Sequence, residues 1–253
     1  LITVSIVSHN QAELVVHLLG DLARHCNGEN LEVILTVNVP EAPVWTASDW
    51  PFPLRIVRND RPQGFGANHN QAFGLRSGSG GDDHLVVMNP DVRLLDNPFP
   101  VLIGGLQQLK GGVIASAVVS ANGGQEDSIR RFPTLKSLIL KALSLRDGRY
   151  VYQLGSPTFK AEWVAGMFML FRAADFQAVG GFDEKFFMYY EDVDICTRLW
   201  KAGYSVLACP KAQVIHDARR TSRKSLRYMR WHVASMVRYF WKHWYRLPRI
   251  PAS

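Results

Sequence analysis

The chain of 253 residues lacks a long apolar run. Nothing in it approaches the roughly 18 consecutive apolar residues of a membrane-spanning helix. No basic-then-apolar stretch with a small-residue cleavage site opens it, so no targeting leader is expected. Cysteine is scarce and odd in number (Cys26, Cys196, Cys209), without a CxxC pair. That excludes a disulfide framework and a structural zinc site, and reads as reduced thiols in a cytosolic protein. Internal repeats and low-complexity linkers are absent too, which favours one domain. Acidic residues are missing from the end of the chain. Ten of the 29 Lys and Arg fall from Arg219 onward, where there is no Asp or Glu, and the other 19 are set against 22 acids. The basicity is therefore a property of the tail, and implies a local anionic partner, not a surface that coats nucleic acid.

What is present centres on His84–Leu95, HLVVMNPDVRLL. Leu85, Val86 and Val87 form a short apolar run that stops at Asn89-Pro90-Asp91, the pattern of a strand buried on both faces. Pro90 cannot donate to a ladder, so the strand ends there and leaves Asp91 beyond its carboxyl end. In open α/β sheets ligands bind along that edge. A carboxylate there can hold a divalent cation, or it can be a turn residue capping the next segment. Leu1–Ser8, Leu31–Val37 and Leu54–Val57 read as further strands, and Gln11–His25 and Ala67–Arg76 as helices. This alternation predicts an α/β protein with a mostly parallel sheet. Farther on, Leu135–Leu145 is helical and Trp163–Phe171 reads as one strand with Gly166 inside it. Ala173–Val179 is a short helix. A helix carrying Val193, Cys196, Leu199 and Trp200 on one face stops at Gly203, and two short strands, Tyr204–Cys209 and Ala212–Ile215, lead to His216.

Three groups of residues suggest chemistry. Ser8-His9-Asn10, Gly64-Phe65-Gly66 and Asp91 lie where strand-end loops of a parallel sheet would meet. Gly64 and Gly66 would let backbone amides approach a nucleotide, although a tight turn before a helix explains them equally well. Glu191-Asp192-Val193-Asp194 places three acids in four residues at a helix start, more than capping requires. Phe186, Phe187, Met188, Tyr189 and Tyr190 would shelter them. Asp192 is the candidate general base for an acceptor hydroxyl, while Asp194 reads as structural. His216, at a strand exit before Asp217, is either a plain polar residue or a ligand to metal or diphosphate. In the tail, Leu226, Met229, Val233, Met236, Val237, Phe240 and Trp244 recur at helical spacing among Arg and Lys. This is a basic amphipathic helix suited to an anionic membrane surface, or else one packed on the domain with a solvated basic face.

Taken in order, VSIVSHN, NDRPQGFGANHNQA, VVMNPDV, RRFP, WVAGMFMLFR, GGFDEKFFMYYEDVDICTRLWKAGY and VIH resemble the family 2 inverting glycosyltransferases of GT-A (Rossmann-like) fold. They look most like the bacterial rhamnosyltransferases of O-antigen and cell-wall polysaccharide assembly. The resemblance implies that Ser8, Asn10, Asn38, Gly64, Phe65, Gly66, Asn70, Asn89 and Asp91 hold the nucleotide-sugar. It implies Asp91 and His216 as ligands to Mg²⁺ or Mn²⁺, and Asp192 with Glu191 as the catalytic pair. Arg131, Trp163, Gly166 and Tyr189 would meet the acceptor. It further implies dTDP-L-rhamnose as donor and a polyprenyl-diphosphate-linked glycan as acceptor, with the enzyme peripheral on the inner face of the cytoplasmic membrane. The expected organisation is a domain over residues 1–217, with a nucleotide half (1–95) and an acceptor and catalytic half (96–217). A basic helical extension follows over 218–253. The pattern is broken twice. Val37-Asn38 stands where the family has an Asp-Asn pair whose Asp reads the base, and Asn89 stands in place of the first acid of DxD. Those departures leave open a UDP-hexose or galactofuranose donor, or a non-catalytic glycan- or membrane-binding module.

Overall fold

The computed structural model describes residues 1–42, 46–143, 148–216, 226–243 and 246–250. In chain order the elements are β1 (Ile2–Ser8), α1 (Ala12–His25), β2 (Leu31–Val37), β3 (Leu54–Arg58), α2 (Phe65–Leu75), β4 (His84–Met88), β5 (Val92–Leu94) and α3 (Phe99–Gln108). There follow β6 (Gly111–Ser120), β7 (Ile129–Arg130), α4 (Leu135–Ala142), β8 (Phe159–Lys160), β9 (Trp163–Val164), β10 (Phe168–Arg172), α5 (Ala173–Ala178), α6 (Glu191–Lys201), β11 (Ser205–His216) and α7 (Leu226–His243).

Nine strands form one sheet in the order β3-β2-β1-β4-β10-β6-β11-β5, with β8 added alongside β11. The strands β1 to β4, β6 and β11 run in one direction, whereas β5, β8 and β10 oppose them. The sheet is thus mostly parallel, as the βαβ alternation predicts. Successive strand residues point to opposite faces, and both faces are covered. Val86 and Met88 of β4 pack with Leu18 and Leu22 of α1 and Leu102 and Leu106 of α3. Leu85 and Val87 pack with Phe176 of α5 and with Ile195 and Leu199 of α6 on the other side. Burial on both faces is why these strands are continuous apolar runs and do not alternate.

Three expectations need correction. The strand expected over Trp163–Phe171 is two strands, because Ala165-Gly166-Met167 turns the chain between β9 and β10. The separate strands expected at Tyr204–Cys209 and Ala212–Ile215 are one strand. β11 absorbs Pro210 in an irregularity, with Cys209 opposite Ser116 and Gln213 opposite Ala117, the place where a strand tolerates proline. α2 starts at Phe65, two residues before the expected Ala67. The end of the helix expected at Leu145 and the expected boundary at 217/218 fall outside the described residues.

Candidate active site

The carboxyl ends of β1, β2 and β4 meet at one edge; β1 ends on Ser8, while Asn38 and Asn89 follow β2 and β4. Past Pro90, β5 pairs antiparallel with β11 and sets His216 opposite Val92. This return strand brings Asp91 and His216 together across 125 positions of sequence. His216 Nε2 is 3.2 Å from Asp91 Oδ2, and its Nδ1 is 3.6 Å from Glu126 Oε2. Burial disfavours the imidazolium. The bond to Asp91 and the charges of Asp91 and Glu126 outweigh it, so the His216 pKa is raised. Asp91 Oδ1 is buried without a hydrogen-bond partner, which suits a cation-binding oxygen. Among the described residues no three His, Cys, Asp or Glu side chains are gathered as a full ligand set. Asp91 and His216 can supply two ligands to a hard cation, leaving the others to a diphosphate.

The second acidic centre lies across the 165–167 turn. Asn89 N–H donates to the Met167 carbonyl (3.0 Å), and Gly166 N–H donates to Asp192 Oδ2 (3.2 Å). One tight turn therefore bridges the Asp91 loop to the start of α6. Space for a side chain at Gly166 is tight. A Cβ at this position would lie 3.0 Å from the Phe65 ring and 3.8 Å from Asp192 Cβ. Tyr189 and Tyr190, immediately before α6, both take left-handed backbone, with φ of +70° and +64°. Such conformations cost non-glycine residues about 1–3 kcal/mol each and are retained where the surroundings over-determine them. They turn Asp192 into a cleft of about 900 Å³ lined also by Arg130, Arg131, Trp163, Tyr189 and His232.

The two acids differ. Glu191 is buried, its Oε2 is unpartnered, and burial with the neighbouring Asp192 charge drives its pKa well up. Burial also raises Asp192, but the backbone N–H groups of Val193 and Gly166 and the Arg130 charge oppose the rise. Asp194, buried completely, has burial overcome by His243, Arg198 and Lys242, and its pKa falls to about 2. Its oxygens lie 2.8 Å from Arg198 Nε, Lys242 Nζ and His243 Nε2, so it ties α7 to α6.

Several residues expected to touch a nucleotide are engaged within the protein. Asn38 Oδ1 accepts from Asn59 Nδ2 and Gln63 N–H, both at 2.8 Å, and its Nδ2 donates to Gln63 O at 3.0 Å. Asn70 exchanges bonds with the backbone of Phe182 and donates to Glu184. Ser8 is buried and accepts from Gln11 N–H. The space beside Gly64 is filled by Phe187 backbone and that beside Gly66 by Phe182. The glycines admit the 182–187 loop, and the Phe65 ring packs on His69 and Phe182. Asn10, exposed at φ +61°, remains at the edge. Of the residues expected at the acceptor, Arg131, Trp163 and Tyr189 line the cleft and Gly166 braces its base. Sequence reasoning missed Glu126, Glu162 and His232. Glu126 follows a Gly-Gly turn with no periodic signal, while His232 is masked by the basic pattern of its helix.

This fold is that of the GT-A glycosyltransferases. Superposition on GalNAc-T7 with UDP, GalNAc and Mn²⁺ gives a TM-score of 0.72 at 14% identity, over 94% of this chain and 47% of that one. The chain thus spans about half of that structure. The sequence profile of "Glycosyl transferase family group 2" matches residues 132–251. Rhamnosyltransferase WbbL of Escherichia coli (strain K12) is 27% identical over 246 residues, 94% of this chain and 92% of that protein. The N-acetylglucosaminyl-diphospho-decaprenol L-rhamnosyltransferase of Mycobacterium tuberculosis is 29% identical over 179 residues, 64% of this chain and 58% of that protein. These matches support a family 2 glycosyltransferase that resembles rhamnosyltransferases.

Proposed function

We propose that the protein is an inverting rhamnosyltransferase that uses dTDP-L-rhamnose and a polyprenyl-diphosphate-linked glycan. The observation that carries this reading is Asp192, a half-buried carboxylate with a raised pKa, aimed into a cleft and braced by Gly166. In a single displacement the acceptor hydroxyl attacks the anomeric carbon, the bond to the nucleotide diphosphate breaks, and the hydroxyl proton passes to Asp192. Arg130, which opposes the rise in the Asp192 pKa, helps keep that base ionised. Glu191, its pKa driven up by burial and by the Asp192 charge, sits buried at the helix start.

Asp91 and His216 would hold a divalent cation at the other end of the 165–167 turn. When bound, the cation offsets charge developing on the leaving diphosphate. The named relatives supply the acceptor class and the donor sugar, and the Mn²⁺ of the GalNAc-T7 structure supplies the metal class. With Val37 in place of a base-reading Asp, the nucleobase would be held by packing and backbone contacts at the β2 edge.

The docking element would be α7. No helix among the described residues is long and apolar enough to cross a membrane, so the reading is peripheral, on the inner membrane face. A basic extension over 218–253, appended to a domain over 1–217, fits this role. The test is a thermal-shift panel of dTDP, UDP, GDP and CDP with and without Mn²⁺, followed by transfer from dTDP-rhamnose. Selective stabilisation by dTDP, larger with Mn²⁺, is expected. Preference for UDP would replace the rhamnosyl donor with a UDP-hexose.

A further inference from the structure

The cleft at Asp192 does not end in open polar surface. Along the segment Pro133-Thr134 it adjoins a second cavity of about 340 Å³, lined by Leu135, Tyr239, Phe240, His243 and Leu247 as well as those two residues. That cavity is more apolar than the cleft, and its size is at the low end of small-ligand pockets. The cleft wall also carries cations on either side, in sequence, of that shared segment. Arg131 is exposed, stacks over Tyr150 and stands 3.7 Å from Glu162, and Lys136 is exposed at the second residue of α4. The cleft at Asp192 thus joins room for a sugar and exposed cations to an adjoining apolar pocket.

We infer that Arg131 and Lys136 bind the diphosphate of a lipid-linked acceptor, and that the pocket between Leu135 and α7 takes the first isoprenoid units of its chain. The inference rests on the proposed acceptor class and deepens it. Both halves of the match come from the surface itself. Guanidinium and ammonium groups recognise phosphate oxygens, and a flexible apolar chain gains by leaving water for an apolar pocket. The pocket is floored by Tyr239 and His243, which the Asp194 cluster holds in place. The site is consequently preformed before any lipid arrives.

The test is equilibrium binding of farnesyl diphosphate, geranyl diphosphate and inorganic pyrophosphate to the full chain, read by titration calorimetry and independent of turnover. Farnesyl diphosphate is expected to bind about tenfold or more tighter than pyrophosphate, since a few buried methylene equivalents suffice for that factor. Leu135→Ser and Leu247→Ser alter partly exposed positions. Each should lower farnesyl diphosphate affinity several-fold while leaving pyrophosphate binding unchanged, and Arg131→Gln should weaken all three ligands together. Equal affinity for pyrophosphate and farnesyl diphosphate would overturn the inference. So would a chain-dependent gain that both leucine variants leave intact. Failure of the broader reading would show elsewhere, as absence of transfer from any nucleotide-sugar while farnesyl diphosphate still binds.

Discussion

At the scale of single residues, Asp192 and His216 titrate in ways that separate base from metal ligand. Asp192→Asn should lower the transfer rate by about 10²–10⁴, the usual worth of a general base, with little change in melting temperature. Glu191→Gln replaces a buried acid of raised pKa with its near isostere and should cost far less. Equal losses for the two variants would remove the distinction drawn between them. The wild-type rate should fall as pH drops through a pKa above the ordinary aspartate value of about 3.9, because burial raises Asp192 and the base must be ionised. His216 carries the opposite linkage. Its folded pKa is raised, so without a cation its pairing with Asp91 stabilises the fold below about 6.5 and is lost as pH rises through the raised value. A cation needs the imidazole neutral, so Mn²⁺ binding must strengthen across the same window. Thermal shifts by Mn²⁺ at about pH 6 and about pH 8 should therefore grow with pH in the wild type, and His216→Ala should flatten that dependence. A Mn²⁺ shift independent of pH in the wild type would remove His216 from the cation site.

At the scale of elements, the deciding contact is Asp194, one helical turn into α6. Its carboxylate holds Arg198, Lys242 and His243 in a buried cluster, and Tyr239 adds a bond to Thr197 (3.1 Å). Removing one partner from such a cluster costs about 3–5 kcal/mol, mostly through the charges left unpaired. Asp194→Asn should accordingly lower the urea midpoint and expose the amides of α7 to exchange before the sheet opens. Unchanged exchange in α7 would mean that aromatic packing alone holds it. The stabilisation carried by Asp194 is present above its unfolded pKa and is lost as pH falls toward about 2. The sequence made Asp194 legible as structural and set Asp192 apart as the acid proposed for chemistry, because three acids exceed what one helix start can use. It also made β1, β2 and β4 legible, since a strand covered on both faces must be apolar throughout. It could not show β5, whose three residues carry no pattern of their own and exist as a strand through pairing with β11. Without β5 only the family resemblance set Asp91 with His216, and nothing placed Glu126 near them. The glycines of GFG were legible as positions needing space, but not whose space. The occupant is the 182–187 loop, more than a hundred residues away.

At the scale of the whole molecule, the proposed membrane contact rests on α7. The helix does not bury the aliphatic stripe that its spacing displays. Ser235, Tyr239 and His243 face the domain, while Leu226, Met229, Val233, Val237 and Trp241 are exposed, Trp241 by 85%. Trp244, expected in that stripe, lies outside the described residues. Arg227 and Arg230 accompany the outer face, Arg227 stacked on Trp231. An aliphatic row with flanking guanidinium groups is suited to lipid headgroups over a shallow apolar layer, whereas a purely solvated helix would not keep such a row. Each cation near an anionic surface contributes about 1 kcal/mol, and each buried methylene about 0.8 kcal/mol, so the stripe outweighs the two arginines if it inserts. The protein should co-sediment with vesicles containing phosphatidylglycerol, and Val233→Glu with Val237→Glu should abolish most of that binding. About 1 M salt, which shortens the screening length to about 3 Å, should only weaken it. Binding that survives the glutamates but vanishes in salt would assign the contact to charge alone. A dimer that the glutamates dissociate, without vesicle binding in the wild type, would give the stripe to a second copy of the chain.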